Sequence, residues 1–273
     1  SDSASSSSSE NESGQALNES TAVSHRENTT TNFANTLNFN KVFEKKNRNL
    51  SFVFDNNNTD AITDGVNVSE TIFYQDNKPN DERNQTTRND NVNDAYSLDI
   101  EYTEPITDSL RIRFGSDFDW KNEIKDQKTF DFDADTQSYS QINQSLTTYT
   151  TSKQNSVSPK VGITLHKNRY TINLVTKTSI IDYDNHAFYL GKATDLNQKY
   201  ALPYATAQFR YKFSRSKNMT FKYDYSNALP ASSFLLPVAN LSNPLNTIIG
   251  NPNLTPIEKN SANFSFRNFD YRT

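Results

Sequence analysis

The stretch "LRIRFGSDFDW", Leu110 to Trp120, decides the fold class. Leu110, Ile112, Phe114, Phe118 and Trp120 share one parity, and Arg111, Arg113, Asp117 and Asp119 share the other. A strand sends alternate side chains to opposite faces, so this one has an apolar face and a charged face. The same period recurs in "AQFRYKF", where Phe209, Tyr211 and Phe213 alternate with Arg210 and Lys212. It recurs again in "MTFKYDY", where Met219, Phe221, Tyr223 and Tyr225 share a parity opposite to Lys222 and Asp224. Further runs lie at 33–43, 50–54, 98–102, 161–165 and 170–174. No segment carries a 3.6-residue period, so the chain reads as all-β.

Outward from these runs, the connections alternate in length. Short polar turns stand at 44–48, 104–107, 166–168 and 214–217. Long stretches rich in Asn, Asp, Ser and Thr stand at 55–95, 121–145, 182–202 and 226–260. Hairpins are therefore expected at about 31–55, 96–120, 146–181 and 203–226, with the next strand from 262 and a polar Ser/Asn-rich loop segment over 1–30. Tight turns at one end and long loops at the other are the pattern of an antiparallel transmembrane β-barrel with short periplasmic turns and long extracellular loops. A soluble β-sandwich also alternates, but its turn signals usually recur every 8–12 residues or so, with loops of both lengths at both ends. Full charges of both signs on the polar faces also suit a wet interior. A membrane-crossing strand needs roughly 9–11 tilted residues, and residues 110–120 supply that length.

Composition narrows the function. Of 273 residues only 33% are apolar, yet 12% are aromatic, with 18 Phe and 14 Tyr, so the apolar surface is concentrated in rings. A net charge of -4 offers no basic footprint for nucleic acid. Cys is absent, which removes disulfides, thiolate metal sites and a Cys nucleophile. His25, His166 and His186 stand apart, without the partner pattern of a metal site or a triad, and read as surface histidines. The acidic runs at 131–136 and 88–94 offer oxygen ligands for Ca²⁺ but lack EF-hand spacing, and read as solvated loops. No catalytic residue, cofactor or metal is expected. Residues 1–24 lack the basic start and apolar stretch of a signal peptide. The chain starts at Ser1 and stops within a strand-like run, so it reads as an internal fragment of a longer protein.

The C-terminal stretch "FRYKFSRSKNMTFKYDYSNALPASSFLLPVANLSNPLNTIIGNPNLTPIEKNSANFSF", Phe209 to Phe266, resembles the barrel of TonB-dependent outer-membrane receptors. It is most similar to those described as outer membrane β-barrel family proteins. The matching positions are Ser214, Arg215, Asn218, Pro230, Leu236, Pro237, Asn243, Pro244, Leu245, Asn246, Gly250, Asn251, Pro252, Leu254 and Pro256. Thr255 stands where the family often has Lys, and the acidic residue falls one position late, at Glu258. The prolines fix φ and remove backbone donors, and Gly250 permits a turn closed to other residues, so the segment is expected to be a stiff, non-sheet path over the barrel mouth.

The resemblance implies a partial barrel of about eight strands and the start of a ninth. It implies outer-membrane lipid as surroundings and a plug domain in the same full-length chain. It also implies a TonB-type energy-transducing complex reached through an N-terminal part, and an extracellular ligand: a ferric chelate, a glycan or a peptide. Arg111, Arg113, Asp117, Asp119, Arg210, Lys212, Lys222 and Asp224 are then expected to face the lumen, in ion pairs with the plug and neighbouring strands or along a substrate path. The competing reading is a β-rich surface adhesin without transport. A β-sandwich hydrolase lacks any nucleophile constellation.

Overall fold

A computed structural model describes residues 1–74, 79–240 and 248–269. The strands in chain order are β1 (Asp2–Glu10), β2 (Ala16–Val42), β3 (Asn49–Phe73), β4 (Asp81–Pro105), β5 (Leu110–Asp133), β6 (Ser138–Ile142), β7 (Thr148–His166), β8 (Tyr170–Tyr189), β9 (Lys192–Lys212) and β10 (Lys217–Ala228). A one-turn helix α1 (Ser232–Leu235), two short strands β11 (Ala239–Asn240) and β12 (Ile248–Ile249), and β13 (Ile257–Asn268) follow. The main sheet is an antiparallel meander in the order β1-β2-β3-β4-β5-β7-β8-β9-β10-β13, with β6 folded back on β5. Among the described residues β1 and β13 are its two edges and do not pair with each other.

Parity runs unbroken along the path from β2 to β13, with register shifts among the described residues only at Ser9/Glu10 and at Asp131/Phe132. Phe118 pairs with Leu98 and with Val157, and Leu98 pairs with Phe54. Each of these is apolar, and together they build one continuous apolar face on which Phe114 is 51% and Phe264 65% exposed. On β5 this face runs from Leu110 to Trp120. Ten residue steps at about 3.4 Å, tilted about 45°, cover roughly 24 Å, the height of a barrel's lipid-facing band. The band also steps from strand to strand. One row of the ladder joins Tyr102, Phe114, Val161, Thr176, Ala205 and Tyr225. That row is the lower margin of the band on β4 and its upper margin on β10, as expected of strands inclined to the membrane normal. Rings gather at the lower margin: Phe43 meets Tyr102 edge-on at 6.4 Å, and Tyr211 meets Phe213 at 4.8 Å. Such belts sit at the lipid–water interface.

The short turns fall close to the expected places, at 43–48, 106–109, 167–169 and 213–216. The long loops do not. Residues 55–73, 81–95, 121–133, 182–189 and 192–202 continue the strands, and residues 2–10 and 16–30, expected as loop, are β1 and the start of β2. The strands β2 to β5 are 24 to 27 residues long, more than twice the roughly 9–11 a bilayer requires, so they project well past it. The physical reason is that both faces of these extensions meet water, so the apolar–polar alternation that marks a strand disappears. Side chains bridge the rows instead: Asn58 donates to Asp94 at 2.6 Å, Gln85 to Asp131 at 2.6 Å, and Thr87 and Thr129 share a hydrogen bond of 3.2 Å. Cross-strand pairs of this kind each contribute roughly 0.2–1 kcal/mol. The β8–β9 connection is a two-residue turn with Leu190 at φ 50° and Gly191 at φ 73°, the left-handed pair that suits the twist of a tight hairpin.

Candidate functional site

The polar face carries two features that stand out from simple solvation: a charge cluster spanning β4 to β8, and residues 229–240 and 248–256 folded onto that face.

Lys160 on β7 sits at the centre of the cluster, with a side chain only 12% exposed. It pairs with Asp99 of β4 and with Asp117 of β5, the latter at 2.8 Å, while Lys177 of β8 reaches the other Asp117 oxygen at 2.9 Å. Asp99 and Asp117 are register partners, so two carboxylates face each other and the ammonium groups neutralise them. Backbone makes room for this. Lys160 lies opposite Gly115, and a Cβ at Gly115 would overlap the Ile100 carbonyl oxygen and stand 2.7 Å from the Lys160 Cε. Arg113 donates to Asn173 at 2.7 Å and lies 3.8 Å from Glu101. Its guanidinium covers Gly162, where a Cβ would stand 3.1 Å away. The two glycines are thus the points at which long cationic side chains cross the sheet.

The other candidate charges are distributed differently. Asp119 accepts from Ser156 at 2.9 Å, and Lys222 pairs with Asp224 at 2.9 Å, with Thr206 donating to Asp224 at 2.7 Å. Arg111, Arg210 and Lys212 lie on the same polar parity and form no ion pair with a described residue. Asp99, Glu101, Lys160, Lys177 and Asn173 were missed by sequence reasoning. Their parity was readable, but what joins them is register between strands far apart in the chain.

Residues 229–240 and 248–256 leave β10 and fold back as a strap. Leu235 is fully buried, packed with Ile181 and Tyr183 of β8, and Leu196, Tyr200, Leu202 and Leu229 surround that cluster. The wall side chains here share the polar parity of Lys177 and Arg210, so they form an apolar recess on an otherwise wet face. Gln198 donates to the Pro252 carbonyl at 3.1 Å, and the Asn251 amide donates to the Phe234 carbonyl at 2.7 Å. Gly250 is buried against Leu236 and Phe234. The expected path over the barrel mouth is therefore corrected. The strap turns inward, carries a short β11–β12 ladder, and anchors on the wall because Leu235 finds apolar partners there. Of the motif positions, Gly250, Asn251, Pro252, Leu254 and Pro256 belong to this strap, with Leu254 exposed. Pro244 and Asn246 lie outside the described residues. A cavity of about 710 Å³ lies between strap and charge cluster, lined by Asp117, Lys160, Lys177, Tyr204, Asn227 and Leu229 among others.

A continuous apolar band, a polar face with its own ion pairs and an antiparallel meander of neighbouring strands are the parts of a barrel wall. A family profile described as "Outer membrane protein beta-barrel family" matches residues 41–273. The chain belongs to the outer membrane protein beta-barrel family. A search of the curated proteins finds no match. As a member of this family the protein resides in the outer membrane, with the apolar band against lipid and the polar face toward the lumen. In such a barrel the turns at 43–48, 106–109, 167–169 and 213–216 face the periplasm, and the strand extensions project toward the cell exterior.

No group of three or more His, Cys, Asp or Glu among the described residues stands close enough together to hold a metal ion. His25 lies 2.5 Å from Asp2 and 3.3 Å from Glu27, which raises its pKa above the ordinary 6.5. His186 pairs with Asp195 at 2.7 Å, and His166 with Thr171 at 2.8 Å. The acidic run 88–94 is part of β4 rather than a loop. In the run 131–136, Asp133 accepts from the Asp135 amide at 2.9 Å, which lowers its pKa.

Proposed function

We propose that this chain is the barrel portion of a TonB-dependent receptor that imports a ligand by energised transport. The strap carries the reading: the segment bearing the motif shared with those receptors occupies the luminal side of the wall, above a cavity lined by charges. An adhesin has no need of a polypeptide packed against the polar face of its wall. In this reading the lumen receives a plug domain of the full-length protein, and the paired charges of the wall accommodate it without leaving a buried ion unpartnered. The barrel performs no catalytic step and holds no cofactor. Photo-crosslinking the full-length protein in living cells should yield an adduct with the periplasmic domain of the energy transducer. Absence of that adduct from correctly inserted protein, with ligand accumulation indifferent to collapse of the proton-motive force, would leave the adhesin reading in its place.

A further inference from the structure

The luminal recess on β8 and β9 is occupied by a piece of polypeptide. Leu235 is 0% and Leu236 2% exposed, values otherwise rare in a wall whose faces meet lipid and water. The contact has two chemical parts. The recess formed by Ile181, Tyr183, Leu196, Tyr200 and Leu202 receives the Leu235 side chain from the outgoing half of the strap, and the Gln198 amide donates to the main-chain carbonyl of Pro252 in its returning half. Side-chain pocket and main-chain hydrogen bond together are how a protein holds a peptide.

The fit is incomplete. Asn185 stands on the same parity of β8, two residues from Tyr183 and in register with Leu196. It is 2% exposed, and neither its amide nitrogen nor its amide oxygen has a hydrogen-bond partner among the described residues. A buried polar group without a partner is unfavourable, because it has given up water and gained nothing in return. A carboxamide offers one donor group and one acceptor side by side, and a peptide bond presents the complementary pair. The strap fills the apolar recess but does not serve Asn185.

We propose that this recess is a peptide-binding site held in cis by the strap, and that the ligand it takes in trans is a peptide with a leucine-type side chain whose main chain pairs with Asn185 and Gln198. The proposal rests on the reading of the barrel as an importer and names the substrate class of its lumen. Because the strap is tethered at both ends, its effective concentration is on the order of millimolar. An incoming peptide therefore competes with a permanently present occupant, and releasing the strap raises apparent affinity.

The test uses the full-length protein in outer-membrane vesicles and a fluorescent peptide of sequence ASSFLLP, residues 231–237. Leu235→Ser/Leu236→Ser, which releases the strap, should bind the peptide saturably and about tenfold or more tighter than the parent protein. Adding Leu196→Asn to that variant should abolish binding. Asn185→Leu alone should weaken capture while leaving the barrel heat-modifiable, which a purely structural asparagine would not do. A maltooligosaccharide and a ferric chelate serve as competitors and should not displace the probe. Folded, strap-released protein that shows no saturable binding overturns the proposal, as does binding unaffected by Leu196→Asn, or displacement by the sugar or chelate. Equilibrium binding needs no energy transducer, so failed uptake with intact binding would sink the importer reading and spare the site.

Discussion

Gly250 lies against Leu236 so closely that a Cβ built on it would overlap the Leu236 carbonyl oxygen and stand 2.7 Å from its carbonyl carbon. The adjacent Asn251 amide meanwhile donates to Phe234. Two halves of the strap, separated by more than a dozen residues, are thus locked together through backbone. Gly250→Ala is expected to loosen the strap by about 1–3 kcal/mol, the usual cost of overpacking, without harming the barrel. Limited proteolysis should show cleavage within 230–256 at protease levels the parent protein resists, with unchanged heat-modifiability. An unchanged cleavage pattern would contradict the packing.

The faces of β5 make opposite demands. Phe114 projects from the apolar face near the middle of the band, so Phe114→Arg should cost roughly 2–4 kcal/mol in lipid. Arg113 points into the lumen, where Arg113→Asn forfeits a distant ion pair and a hydrogen bond, on the order of 1 kcal/mol. Folded barrel should fall sharply for the first and little for the second. Nitroxides at 112 and 114 should relax with lipid-soluble oxygen rather than with an aqueous nickel chelate. Equal shielding from both reagents would mean that the apolar face meets protein.

Lys160 separates two facing carboxylates. Lys160→Met should leave Asp99 without a cation and Asp117 with Lys177 alone, and destabilise the barrel by about 1–3 kcal/mol, less than for a fully buried pair because Asp99 is 39% exposed. Adding Asp117→Asn removes the repulsion and should recover much of the loss. Urea unfolding in lipid vesicles measures both. A double variant no more stable than Lys160→Met would refute the coupling.

At the periplasmic rim Glu104 accepts from Arg48 at 2.8 and 2.9 Å, from Lys45 at 2.6 Å and from Tyr102 at 2.6 Å, and the guanidinium above all holds its pKa down at about 2, below the ordinary 4.5. A carboxylate more acidic in the folded state stabilises fully above its unfolded pKa and loses that contribution as pH falls toward the folded one. Urea midpoints should therefore decline between pH 4.5 and about 2, and Glu104→Gln should flatten that decline. Glu104 keeps 21% of its side chain exposed, and its partners Lys45 and Arg48 more, so the decline should shrink in part in high salt. An identical profile in the variant would assign the acid sensitivity elsewhere.

How legible the fold was depended on what each segment faces. Between lipid and lumen, as at Leu110–Trp120, alternation is enforced residue by residue and the strand is plain. Beyond Trp120 both sides are wet, and "KNEIKDQKTF" carries no period from which pairing could be read. β1, with its run of serines, is the extreme case. Of the candidate site, parity put Arg113 and Asp117 on one polar face, and the structure finds them on that face. The inward turn of the strap depends on Ile181 and Tyr183, two apolar residues on a polar parity, which reads as an irregular strand until Leu235 is placed on them.

Topology has its own check. An epitope inserted at Thr136, in the exposed turn before β6, should be labelled on intact cells, and one at Asp108, in the turn between β4 and β5, only after permeabilisation. The reverse pattern would invert the orientation.

The polar extensions change what an approaching antibody or phage encounters. Asp64, Arg88 and Lys128 stand side by side in one row of the ladder, contributed by β3, β4 and β5, so the exposed surface is a mosaic of strands rather than a set of independent loops. Immunisation with linear peptides copied from 55–95 would present none of these neighbours together. An escape variant needs only one exchange in a row, such as Arg88→Glu, to alter a patch shared by three strands while every backbone hydrogen bond beneath it stays in place.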